Sequence, residues 1–380
     1  MNTVVSGNPI IYRVLEINQL MRLLLLIAFM IIPFQANATN ECNSQNPNNC
    51  LDGVGPAVTN PDNVRTTVFN VSKQTHSQSS EDDQGSEDDQ DLSFIGSSAF
   101  SGLAAGDGYV GLGYWASFNY SDFGADIPIN SIVQPIASYD ADQKTVFIGV
   151  DTLLMDALVI GLTLGYENTD IDTAYNGGNN ETDGFTIAPY AAYLINDNFS
   201  ADVVMGYTTL GTDTDRIDNV SGGTILGDFD AERWFIATNL NATASYDQWL
   251  LGGRLGYLYV TEDQDSYFET GPNTARSIGR RHIDLAQVVV GFDVAYSFNQ
   301  FEPYATFTYL NDLGRDNGTD AGGLPGAVGA TQPDDDDEIQ AGLGIRYFGN
   351  NYSGTAEWTN VIDRDTFDGN NFLFTLRIDL

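Results

Sequence analysis

Between residues 109 and 380, segments that alternate apolar and polar residues are joined in turn by very short and by long connections. The short ones centre on Leu154-Met155-Asp156, Asn196-Asp197-Asn198, Asp247-Gln248, Asn299-Gln300 and Gly349-Asn350-Asn351. Between them run long acidic stretches: Ser121–Gln143, Glu167–Asp183, Gly211–Asp230 and Asp312–Asp337. A soluble β-sandwich has no reason to sort its connections by length. A barrel crossing an outer membrane does, because tight turns crowd one rim and loops the other.

The alternation gives each strand two faces. Leu158, Ile160, Leu162, Leu164 and Tyr166 oppose Gly161, Thr163 and Gly165. Ile339, Ala341, Leu343, Ile345 and Tyr347 oppose Gln340, Gly342, Gly344 and Arg346. One row suits lipid; the opposing rows are small or polar and carry Asp151, Arg254, Asp293, Arg346 and Arg377. A water-soluble barrel would turn the same rows inside out, so alternation alone leaves both arrangements open. Apolar segments of about ten residues, the sorted connections and the leader described below favour lipid.

The expected fold is all-β, an antiparallel transmembrane β-barrel of about twelve strands with short periplasmic turns and long extracellular loops. Strands are expected to start near Tyr109, Gln143, Ala157, Asp183, Phe199, Ala231, Trp249, Ile283, Glu302, Glu338, Tyr352 and Asn371. An even count, with short turns after the even-numbered strands, puts both ends of the barrel in the periplasm. Trp249 and Phe301, beside short turns, are candidates for the periplasmic aromatic girdle.

Composition narrows the function classes. The formal net charge of -37 argues against nucleic acid and anionic membrane surfaces as partners. Acidic loops could gather divalent cations, although a solvated, repulsive rim explains them more simply. After the N-terminal segment no apolar run approaches the ~18 residues of a transmembrane helix.

At the N-terminus, Met21-Arg22 precedes the apolar run Leu23–Ile32, Pro33 breaks it, and Ala36-Asn37-Ala38 has the form of a signal-peptidase site. Residues 1–38 therefore read as a signal peptide, with Met21 a candidate true start. Residues 39–91, rich in Asn, Ser, Gln and Asp, read as a disordered acidic segment. Residues 92–108 read as a linker or a slender helix in the lumen, and 109–380 as the barrel. Cys42 and Cys50 are a candidate disulfide in an oxidising compartment.

In the last strand Phe372, Phe374, Leu376, Ile378 and Leu380 form one apolar row. That strand must pair with the first or leave an open edge in lipid. The row resembles the C-terminal signal by which outer-membrane barrels are recognised for assembly.

Several stretches together resemble the autotransporter β-domain, the twelve-stranded translocator of type V secretion. They are Gly113–Phe118, Phe147-Ile148-Gly149-Val150-Asp151, Ile160–Tyr166 and Asp183–Tyr193. The resemblance covers roughly residues 111–380. It implies insertion by the barrel-assembly machinery, a lumen filled by a helical linker, and an N-terminal passenger carried outside. A typical passenger is a long glycine-rich β-solenoid; the short polar segment here leads to the expectation of little or no passenger.

Residue chemistry offers no enzyme, and no cofactor is expected. The two histidines are His76, in the polar tract, and His282, beside Arg280 and Arg281. A Ser–His–Asp site would need His282, and no Ser and acid are singled out beside it. An outer-membrane protease with an Asp/His dyad is the enzymatic alternative. Asp334–Glu338 and Asp213-Thr214-Asp215 lack calcium-loop spacing, and Gly322-Gly323-Leu324-Pro325-Gly326 lacks the lysine of a phosphate loop. The leading expectation is a membrane anchor and translocator. The alternatives are a small cation-preferring channel and a loop-mediated adhesin.

Overall fold

A computed structural model describes residues 112–128, 136–154, 157–173, 177–196, 198–218, 221–272, 274–316, 336–349, 352–364 and 367–379. The leader, the Cys42 and Cys50 pair, residues 39–108 and Leu380 lie outside the described residues. The strands are β1 (Leu112–Pro128), β2 (Ile136–Leu154), β3 (Leu158–Thr173), β4 (Gly178–Asn196), β5 (Phe199–Ile217), β6 (Thr224–Tyr246) and β7 (Trp249–Gln264). They continue as β8 (Tyr267–Gly271), β9 (Thr274–Ile278), β10 (Arg281–Tyr296), β11 (Phe301–Asp316), β12 (Asp337–Phe348), β13 (Tyr352–Asp363) and β14 (Phe367–Asp379).

All pairings are antiparallel. The order β5-β4-β3-β2-β1-β14-β13-β12-β11-β10-β7-β6 returns to β5 through the β5–β6 pairing, so the sheet closes. Closure leaves no barrel strand with an unpaired edge. β8 and β9 are the tip of one long hairpin rather than an insertion. Gln264 faces Arg281 in β7–β10 and Tyr267 faces Ile278 in β8–β9, so the register runs on through the breaks at 265–266 and 279–280. The barrel proper therefore has twelve strands.

One rim carries only tight turns. At two of them Asp247 and Asn299 take positive φ, 55° and 54°, a conformation that short polar side chains tolerate. The opposite rim, here the loop rim, differs from the sequence expectation. Three of the acidic stretches are largely strand: β3 runs to Thr173 and β4 starts at Gly178, so only the four residues 174–177 separate the strands within Glu167–Asp183, whereas most of Asp312–Asp337 lies outside the described residues. Strands reach 23 residues in β6, well beyond the expected ten. These extensions keep the two-face pattern with hydrophilic residues: Thr169 and Thr173 are buried inward, while Asp170 and Asp172 are exposed outward.

The outer row of each barrel strand is apolar from the turn rim up to a belt of aromatic residues; beyond it polar residues predominate, with Ile217, Leu226, Leu313 and Ile362 as exposed exceptions. The belt is built the same way on the hairpins. An aromatic side chain on the strand rising to the loop rim bonds to an acceptor placed diagonally on the descending strand. Tyr166 donates to Asp183 (2.5 Å), Tyr259 to Asp284 (3.0 Å), Tyr309 to Asp337 (2.6 Å) and Trp358 to Asn370 (3.3 Å). Tyr120 donates to Asp142, and Tyr207 bonds to Glu232. Each acceptor lies two residues closer to the loop rim than the aromatic. A hydroxyl or indole N–H fixed to a polar group above and an apolar ring below marks the edge of the apolar zone.

Candidate functional site: the inner wall of the barrel

The inward rows put every second residue of each strand into the lumen wall, and the wall has three tiers. At the turn rim sits a ring of charge. Arg377 on β14 grips Asp151 on β2 with both terminal nitrogens, at 2.9 and 3.0 Å, and its Nε donates to Asp379 at 2.8 Å. Tyr190 on β4 donates to Asp151 (2.6 Å) and accepts from the indole of Trp115 on β1 (2.9 Å). Three strands thus meet at one carboxylate, and β1 joins them through the Tyr190 hydroxyl.

Two glycines make the room. A Cβ at Gly113 would stand 2.1 Å from the Arg377 guanidinium, and one at Gly161 would stand 2.2 Å from the Tyr190 ring. The small residues that alternate with the apolar rows in the sequence are therefore the sockets of large inward side chains.

The ring continues around the wall. Asp202 accepts from Asn239 (2.7 Å) and Asn241 (2.8 Å). Arg346 donates to Glu302 at 2.5 Å and lies 4.1 Å over the ring of Tyr304, whose hydroxyl donates to Glu357 at 2.9 Å. Arg254 interacts electrostatically with Asp202, Glu357 and Asp293.

Above this ring lies an apolar and hydroxyl tier. Trp115, Phe147, Ala188, Val204, Phe235, Ala237, Leu258, Val260 and Leu285 belong to one buried cluster drawn from β1, β2, β4 to β7 and β10. Thr308 on β11, Thr359 on β13 and Thr375 on β14 line other parts of the wall.

A second charged ring lies toward the loop rim. Arg233 donates to Glu262 (3.0 Å) and Glu167 (2.8 Å), and Gln264 donates to Glu262 (2.8 Å). Arg364 donates to Glu338 (2.9 Å) and Asp312 (3.1 Å), and Gln287 donates to Asp312 (2.6 Å). These ions are buried, and such groups are tolerated when each carboxylate has a hydrogen-bonded cation.

The inward residues expected from sequence, Asp151, Arg254, Asp293, Arg346 and Arg377, all belong to the turn-rim ring. The row Phe372, Phe374, Leu376 and Ile378 is exposed on the outer face of β14, which pairs with β1 from Gly113↔Asp379 to Ala125↔Phe367. Trp249 and Phe301 are exposed beside tight turns, as a girdle requires. The acidic run splits by face: Asp337 points out and accepts from Tyr309, while Glu338 points in to Arg364. Asp213 and Asp215 lie on the outer face of β5. Among the described residues no group of three or more His, Cys, Asp or Glu is placed to hold a metal ion.

His282 lies outside, beyond the aromatic belt, with Nδ1 2.7 Å from Asp263 and Nε2 2.9 Å from Asp284. Both acids are on the same outer surface. Asp284 stands two residues from His282 on the same strand, whereas Asp263 reaches it only through the β7–β10 pairing, which periodicity does not specify.

Comparison with known proteins agrees with the architecture. The family model for the autotransporter beta-domain matches residues 133–359. Outer membrane protein B of Rickettsia rickettsii is 28% identical over 209 residues, 51% of this chain and 12% of that protein. Its counterpart in Rickettsia japonica is 26% identical over 223 residues, 54% of this chain and 13% of that protein. The chain thus matches only a small part of these relatives' length. Among solved structures, the translocator domain of autotransporter NalP from Neisseria meningitidis superposes with a TM-score of 0.59 at 16% identity, over 71% of this chain and 89% of that one. The beta domain of the Bordetella autotransporter Brka gives 0.54 at 15% identity, over 72% and 100%.

Proposed function

This chain belongs to the autotransporter β-domain family, barrels of the Gram-negative outer membrane, and from that premise we propose that it anchors and translocates its own short acidic segment, residues 39–91. The observation that supports the reading is the wall: apolar outside, closed by hydrogen bonds all round, and charged at both ends of its inner face. A closed barrel satisfies every backbone group in lipid and surrounds a segment threaded through it. The work is transport and anchoring, with no bond made or broken.

In this reading the loop rim faces outward and the tight turns face the periplasm. The supporting features are the acidic outer rows beyond the aromatic belt, suited to water, and the uniformly short turns of the other rim. Residues 92–108 form the stretch left in the lumen. The row Phe372, Phe374, Leu376, Ile378 and Leu380 is the surface offered to the barrel-assembly machinery.

A protease site placed near Asn60 tests the reading. Protease added to intact cells is expected to cut there. If that site stays protected while sites engineered into the loop rim are cut, the segment is not carried outside and the proposal fails.

A further inference from the structure

Beyond the aromatic belt the outer rows are hydrophilic on the first two hairpins. They show Asn168, Asp170 and Asp172 on β3, and Glu181 and Asp183 on β4, facing out. Elsewhere the loop rim departs from this, singly at Leu313 and Ile362 and as a group on the third hairpin. Where β5, β6 and β8 project farthest, Ile217, Leu226 and Phe268 face outward at 37%, 55% and 71% exposure.

These three side chains lie on one diagonal. Ile217 pairs with Thr224, two residues from Leu226; Leu226 pairs with Thr270, two residues from Phe268. Diagonal neighbours on one sheet face sit about 7–8 Å apart, within reach of large side chains. The projection is also held stiffly from its inner face. Arg216 on β5 grips Glu269 on β8 through two bonds of 2.9 and 2.7 Å, and Tyr267 stacks on Phe229 with centroids 4.9 Å apart.

Lipid does not account for the patch. Leu226 stands eight residues beyond Trp234, which pairs with the belt residue Tyr207 and shares its level, about 26 Å along the strand at ~3.3 Å per residue. Between them the outer row of β6 carries Glu232, Asp230 and Asp228. An acidic band therefore separates the patch from the apolar zone. A second copy of the same face is disfavoured as well, because Asp213, Asp215 and Asp228 flank the patch on its belt side and like charges would meet. A contiguous apolar patch rimmed by charge marks an interaction surface, and the charge selects the partner's sign.

We propose that this face, centred on Leu226 and Phe268 and flanked by Asp213, Asp215 and Asp228, docks a polypeptide segment that alternates apolar and cationic residues. Its placement outside the cell rests on the orientation proposed above.

The test uses the full chain in nanodiscs of zwitterionic lipid, with empty discs subtracted. Fluorescence anisotropy would follow a labelled peptide alternating Leu and Lys, and a control with Ser at each Leu. The alternating peptide is expected to bind the native protein on the order of tenfold more tightly than L226S/F268S. The Ser–Lys peptide is expected to bind both equally, and D213N/D215N/D228N to weaken both peptides. Heat-modifiable migration on gels checks that these exposed substitutions leave the barrel folded.

Equal binding of the alternating peptide to native and L226S/F268S protein overturns the proposal. So does dimerisation that L226S/F268S abolishes, which gives the patch to a second copy. Tighter peptide binding after deletion of residues 39–108 overturns it too, giving the patch to the chain's own segment. Orientation is read separately, by labelling Ser221→Cys on intact cells in a C42S/C50S background. Failure to label sinks the outward orientation, whereas the disc titration, with both rims open, still decides the docking face.

Discussion

Arg377 of β14 and Asp151 of β2 form a two-bond fork that passes over the strand between them at Gly113. The pair therefore staples the β1–β14 seam from inside, independently of the backbone hydrogen bonds. Both side chains are nearly inaccessible, at 6% and 3% exposure, so neither has water to fall back on. Removing one partner of such a pair costs about 3–5 kcal/mol, whereas replacing both with apolar residues of similar volume is often close to neutral. D151N and R377M should each lower the temperature at which the barrel loses its folded gel mobility. D151L/R377M should recover most of the loss. An unshifted D151N would show that the fork does not hold the seam.

The socket at Gly161 makes a second, separable claim. A methyl there would overlap the Tyr190 ring, and the ring cannot swing away without breaking its bonds to Trp115 and Asp151. Overpacking of this kind typically costs about 1–3 kcal/mol. G161A should therefore be destabilised, and G161A/Y190A should lose less than the sum of the two single changes. Additive losses in gel-mobility midpoints would mean that the two sites do not touch.

The four tryptophans report the two faces of the wall. Trp234, Trp249 and Trp358 are exposed outward at 55%, 49% and 39%, while Trp115 is 3% exposed and points inward. In single-tryptophan variants reconstituted into brominated lipid, the three outward indoles should be quenched and Trp115 should keep its emission. Trp249, at the turn rim, and Trp234, on the aromatic belt, lie at opposite edges of the apolar zone. Bromines near the headgroup should thus quench both more than bromines at the chain ends. Quenching of Trp115 by lipid would invert the face assignment.

How far the sequence could be read follows from where hydrophobic periodicity stops. Strands that follow tight turns start where the alternation predicts, at Phe199, Trp249 and Tyr352, because the apolar row begins at the turn. Strands after the acidic stretches start earlier than expected: Ile136 against Gln143, Gly178 against Asp183, Thr224 against Ala231. There the outward residues are mostly Asp and Asn and the inward ones are mixed, with Tyr139, Ala141 and Ile225 beside Gln143 and Asn180, so the apolar outer row that marks each strand stops. The hairpin tip β8–β9 is hidden differently: the adjacent aromatics Tyr267 and Phe268 face opposite ways, so its short strand shows no alternation. The charged inward rows were legible, but their pairing was not. Arg233 and Glu167 are 66 residues apart and meet across β4 and β5, and Arg377 and Asp151 are 226 apart and meet only because closure sets β14 beside β1.

His282 gives the remaining prediction, a titration outside the apolar zone. Partial burial pushes its pKa down, but the hydrogen bond to Asp263 and the charges of Asp284 and Asp263 push it up, and the net result is above the ordinary 6.5. A raised folded-state value means that the protonated ring stabilises the β7–β10 hairpin. That contribution is complete below pH 6.5 and fades as pH rises through the folded-state value. In an H76A background the remaining imidazole can be followed alone by NMR. Its midpoint should lie above 6.5, and D263N and D284N should each bring it down. H282Q should flatten the pH dependence of the unfolding midpoint from pH 6.5 upward. A native midpoint at or below 6.5 would mean that the two carboxylates do not hold the ring, and that the loop-rim end of this hairpin is looser than drawn.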